Sequence, residues 1–125
     1  EARRWRKMLG GAMRQVGVIA AAGVVALDTM IDRMADDHAN ARKLAAALAE
    51  MPGIDIDLST VETNIVRFGV PAHKGLEIQG RLKDEGVLIN GGDSDLRFVP
   101  HYGIDSEDID IAINAMDKVM AEVAG

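Results

Sequence analysis

The sequence predicts an α+β domain in which a small, mainly antiparallel sheet is covered by helices, in the order α-β-β-α-β-β-α. Three observations predict it. Apolar residues recur at helical spacing towards both ends of the chain. Two pairs of strand-like runs lie between those helices. The links inside each pair are too short for the crossover a parallel pair needs, so each pair is read as antiparallel.

Residues 12–49 contain no proline and no turn cluster. Leu27, Ile31, Met34, His38, Ala41, Ala45 and Leu48 recur at alternating steps of four and three, one apolar face of a long helix. Asp28, Asp32, Arg33, Asp36, Asp37, Arg42 and Lys43 fall mostly on the other face. Residues 16–26 are apolar all round, which predicts burial on most sides. A bend near Gly23 or Asp28 would divide the pattern into two helices, and Pro52-Gly53 ends it.

Residues 54–58 (IDIDL) alternate strictly, as a half-buried strand does, and residues 64–70 (NIVRFGV) read as a second strand. A weaker helix follows over 73–85 and stops at Gly86. Residues 87–89 (VLI) form a short strand, residues 90–95 (NGGDSD) a turn, and residues 96–101 (LRFVPH) a last strand. Asp105 or Ser106 then caps a final helix with Ile109, Ile113, Met116, Val119, Met120 and Val123 inward.

Charge is unevenly distributed. Residues 1–14 carry five cations and one anion, net +4, whereas residues 15–125 carry nine cations and nineteen anions, net −10, within the overall −6. The acidic body argues against general binding to nucleic acid or anionic membranes. The apolar run 16–27 is only twelve residues and holds two glycines, too short to span a bilayer. The absence of cysteine excludes disulfides and thiolate metal sites and fits a cytoplasmic location.

Two features could carry chemistry. The head, RRWRKMLGGAMRQ, sets Lys7 and Arg14 around Gly10-Gly11 ahead of a helix, where an anion could be held by backbone N–H groups and positive charge. A solvated basic helix end beside loop glycines is the commoner arrangement, and the spacing is not that of a P-loop. Arg97 lies within an otherwise apolar strand, where it needs a partner. A carboxylate ligand gripped by the guanidinium fork is one, but a buried structural ion pair, or a place on an edge strand, is the commoner arrangement. His38, His73 and His101 lie on different elements, and no metal site is expected. His101 receives no role.

The stretch RRWRKMLGGAMRQVGVIAAAGVVAL, followed by DHANARKLA, resembles the low-specificity L-threonine aldolases, and VETNIVRF, GVLINGG, LRFVPH and DSEDIDIAI agree in order. The resemblance covers nearly the whole chain. It implies a pyridoxal-phosphate enzyme of the aspartate-aminotransferase fold (fold type I), of which this chain is the C-terminal portion. Residues 1–50 would be the end of the large domain and the connecting helix, and 51–125 the small domain.

On that resemblance Lys7 and Arg14 approach the cofactor phosphate or the substrate, and Arg97 holds the substrate carboxylate. The parent reaction is cleavage of L-threonine or L-allo-threonine to glycine and acetaldehyde, by a homodimer or homotetramer. The Schiff-base lysine would lie upstream, since none of Lys7, Lys43, Lys74, Lys83 and Lys118 stands in the family motif. No catalysis and no bound pyridoxal phosphate are therefore expected of this chain alone. Self-association through residues 16–27 is expected. A non-catalytic assembly module and a fragment of another β-eliminating lyase are the alternatives. The sequence departs from the family pattern at Ala12 and Pro100, neither of which is one of the three basic residues.

Overall fold

The computed structural model describes residues 1–124 and divides into two compact units, residues 1–34 and 35–125. The first contains helices α1 (Ala2–Met8) and α2 (Gly17–Thr29). Helix α3 (Met34–Ala49) leads into the second unit. There follow a 3₁₀ turn (Leu58–Thr60), β1 (Val66–Gly69), α4 (Gly75–Asp84), β2 (Asn90–Gly91), β3 (Asp95–Phe98) and α5 (Ser106–Ala124).

No residue of α1 or α2 is buried. Residues 16–26 are therefore not buried within this chain, Val18 being 82% and Ile19 64% exposed, and they form the apolar surface through which self-association is expected. An apolar circumference cannot be covered from one side, and the unit's other helix has only seven residues. The expected long helix is interrupted by turns at residues 30–33, just after Asp28.

In the second unit the three strands lie in the order β1-β3-β2, all antiparallel. Period-2 alternation divides the faces: Val66, Phe68, Leu96 and Phe98 are buried, while Arg67, Asp95 and Arg97 are exposed. The Phe68 and Phe98 rings stack with centroids 5.7 Å apart. The core is completed by Leu44, Ala45 and Leu48 of α3, Ile78 and Leu82 of α4, and Ile109, Met116 and Val119 of α5. Helix α5 begins with a capping box: Asp105 accepts from the N–H of Glu107 and Asp108, and Asp108 accepts from the N–H of Asp105.

Three sequence expectations are corrected. The 54–58 strand reduces to a single bridge, Asp55 to Gly69, because Asp57 then caps the 3₁₀ turn through the Ser59 N–H. The strand expected at 87–89 lies at Asn90–Gly91, within the expected turn. On α3 the buried stripe runs through Asp37, Asn40, Ala41, Leu44, Ala45 and Leu48, so Asp37 is inside and His38 only half-buried. Asn40 earns its place by donating from Nδ2 to the Ile104 carbonyl at 3.1 Å.

Candidate functional site

The glycine pair of the basic head is a helix stop. The Gly11 N–H donates to Arg6 O at 2.7 Å, the Gly10 N–H donates to Lys7 O at 3.2 Å, and Gly10 has φ +82°. This is the Schellman arrangement, in which glycine takes the left-handed position and the last carbonyls are satisfied. Arg6 and Lys7 occupy the last turn, where the helix dipole favours cations. Arg14 follows in the turn before α2, next to Gln15, which is itself left-handed at φ 53°. Lys7 and Arg14 are exposed, and neither has a carboxylate or hydrogen-bond partner among the described residues. The Gly10 and Gly11 N–H groups are spent on this helix stop, which overturns their expected part in holding an anion, and what remains to suit a phosphate is the charge of Lys7 and Arg14.

The second unit carries the other sequence-derived residue. Arg97 sits at the middle of the central strand, on the exposed face. Its cross-strand neighbours are Arg67 on β1 and Asn90 on β2. A shallow hollow of about 200 Å³ is lined by these three with Gly91, Gly92 and Asp95. Arg67 donates from Nη2 to Asp95 Oδ2, so its charge is compensated. Arg97 has no hydrogen bond or ion pair among the described residues. The guanidinium expected to need a partner is therefore open to solvent. Its β-carbon stands roughly 5 Å from that of the like-charged Arg67, an unfavourable juxtaposition that the Asp95 carboxylate relieves.

Arg67 and Asn90 were not singled out from sequence. Their signal is the register, which places both beside Arg97 only once the strands pair. Lys7 and Arg14 lie in the first unit and Arg97 in the second.

The turn beside the hollow is anchored. The Gly75 N–H donates to Asp93 O at 2.8 Å, and His73 Nδ1 lies 2.5 Å from Asp93 Oδ2. Gly75 permits this approach, because a β-carbon there would stand 2.2 Å from Gly92 O. The carboxylates of Asp93 and Asp95 thus serve His73 and Arg67. Pro100 lies past the end of β3, where its missing N–H breaks no ladder bond, and its carbonyl accepts from Asn64 Nδ2. His101 lines a separate, mainly apolar hollow of about 240 Å³ with Leu44, Val87, Asp108 and Ile109. No helix among the described residues is long and apolar enough to cross a membrane.

Comparison with known proteins assigns the class. Residues 1–70, more than half of the chain, match the family model described as beta-eliminating lyase, and the chain belongs to that family. It is 34% identical over 124 residues to low-specificity L-threonine aldolase 1 of Arabidopsis thaliana, covering 96% of this chain and 35% of that protein. It is 36% identical over 106 residues to the low specificity L-threonine aldolase of Escherichia coli K12, covering 85% of this chain and 31% of that one. The chain thus spans about a third of the length of these relatives and corresponds to their C-terminal portion. In fold it is similar to a solved structure described as MppP soaked with the product 2-ketoarginine. The TM-score is 0.61 and the identity 18%, covering 76% of this chain and 30% of that one.

Proposed function

We propose that the chain is the C-terminal part of a pyridoxal-phosphate-dependent lyase that cleaves L-threonine or L-allo-threonine to glycine and acetaldehyde. The observation that carries this reading is Arg97, an uncompensated guanidinium at the centre of an exposed sheet face. A planar fork of donors suits an amino acid's α-carboxylate and would fix the orientation of its Cα–Cβ bond. Lys7 and Arg14, both exposed and unpaired, would hold the cofactor phosphate. The cofactor, when bound, supplies the electron sink for breaking that bond. The relatives' names support the aldolase over other β-eliminating lyases. The parent would be a cytoplasmic homodimer or homotetramer.

By itself this chain is expected to be inactive and to bind no pyridoxal phosphate. The test has two arms. A full-length protein containing this chain should release acetaldehyde from L-threonine or L-allo-threonine, and failure to do so overturns the reaction assigned. The chain alone, treated with pyridoxal phosphate and borohydride, should show no stoichiometric adduct at one lysine. Such an adduct would overturn the inactivity.

A second reading, that the isolated chain acts as an assembly module, is favoured by the exposed apolar surface of α2. It would pair with a separate large-domain chain or with itself. A monodisperse monomer with no dye-binding apolar surface would exclude it.

A further inference from the structure

The exposed sheet face contains two guanidinium groups and one carboxylate, and their arrangement is asymmetric. Arg67 and Arg97 are cross-strand partners. Asp95 is two residues from Arg97 on the same strand and the same face, yet its carboxylate is engaged by Arg67. Of the two arginines one is neutralised and one is open. The hollow they line therefore presents a single free positive charge, flanked by the Asn90 side and by the glycines of β2 and its turn.

We propose that the Arg67–Asp95 pair is a charge filter that withholds a second free cation from this face, so that a dicarboxylate gains nothing there over a ligand with one carboxylate. The proposal rests on the reading of Arg97 as the carboxylate grip and names the substrate class of that grip. With the pair intact, an amino acid bearing a second, distal carboxylate finds no second cation next to Arg97. With Asp95 neutralised, Arg67 is released beside Arg97, and the face becomes a two-guanidinium clamp suited to a dicarboxylate. With Arg67 removed instead, Asp95 is left uncompensated next to Arg97 and competes with any incoming anion. Asp95 and Arg67 are thus positioning residues that act through the charge left at Arg97.

The test is a titration of this chain with acetate and with succinate at matched ionic strength, following the arginine Nε–H signals by NMR. In the unsubstituted chain the Arg97 signal should respond to both, with succinate favoured by no more than about the twofold advantage of having two ends. Asp95→Asn should strengthen succinate binding about two- to fivefold more than it strengthens acetate binding, and bring the Arg67 signal into the response. The gain should vanish in the Asp95→Asn, Arg67→Gln double variant. Arg67→Gln alone should weaken both ligands at Arg97, which gives a second reading if Asp95→Asn disturbs the fold. The filter is overturned if Arg97 responds in the unsubstituted chain while Asp95→Asn shifts both ligands equally or neither, or if Arg67→Gln leaves acetate binding unchanged. No Arg97 response to either ligand in the unsubstituted chain would instead sink the carboxylate reading itself, and the filter with it.

Discussion

Arg67 and Arg97 stand directly opposite one another across β1 and β3, and only Arg67 has a carboxylate. If Arg97 grips the substrate, its charge-assisted bonds are made at the point where orientation matters. In the full-length protein Arg97→Gln should lower kcat/KM by roughly 10- to 100-fold, the equivalent of about 1.5–3 kcal/mol. Arg97→Lys keeps the charge but loses the fork, so it should recover only part of the loss. Steady-state kinetics with L-threonine would check both.

On α4 Glu77 pairs with Arg81 and with Lys74 just before the helix, and Arg81 reaches on to Glu122 of α5 at 2.7 Å. Hydrogen bonds from Lys74, and then from Arg81, hold the Glu77 carboxyl below its ordinary value of 4.5. A carboxyl depressed by folding stabilises the fold fully above its unfolded value, and that contribution fades as pH falls through the lower, folded value. Denaturant midpoints measured downwards from pH 5 should therefore decline more steeply for the unsubstituted chain than for Glu77→Gln.

Two glycines on α4 should respond oppositely to alanine. A β-carbon at Gly75 would meet Gly92 O at 2.2 Å and the Asp93 carbonyl carbon at 2.7 Å, both backbone, so the β2–β3 turn must give way. Gly75→Ala should cost about 2 kcal/mol or more. At Gly80 nothing lies within 4 Å, and Gly80→Ala should stabilise by about 0.5–1 kcal/mol through helix propensity alone. Urea unfolding curves for the two variants would decide.

The apolar surface of α2 should govern association of the isolated chain. Replacing exposed Ile19 and Val25 by Glu should abolish concentration-dependent association in sedimentation, with the midpoint of unfolding nearly unchanged, because neither is buried. Leu48→Ala in the core should instead cost about 2–5 kcal/mol.

The contrast between α5 and α3 shows what the sequence reveals. Helix α5 was legible from its acidic cap and from apolar positions spaced at three and four, because large side chains mark its inner face. Helix α3 is rich in alanine, which marks no face strongly. Its inner face includes Asn40, whose side chain meets the Ile104 carbonyl, a contact 64 residues distant in sequence. The half-burial of Ile54 and Ile56 was visible in their alternation, but whether a ladder forms depends on what β1 offers at its edge, and it offered one bridge. Arg97 was visible as a charge among apolar neighbours. That its neighbour Arg67 is compensated and Arg97 is not depends on register, which no local pattern contains.

Strand β3 is bonded along both edges, to β1 on one side and β2 on the other. The root of the Arg97 side chain therefore has no hinge of its own. Any displacement of that root larger than a rotamer change would have to break ladder bonds to β1 or to β2. A carboxylate held by Arg97 would thus take its position from the sheet and not from a loop.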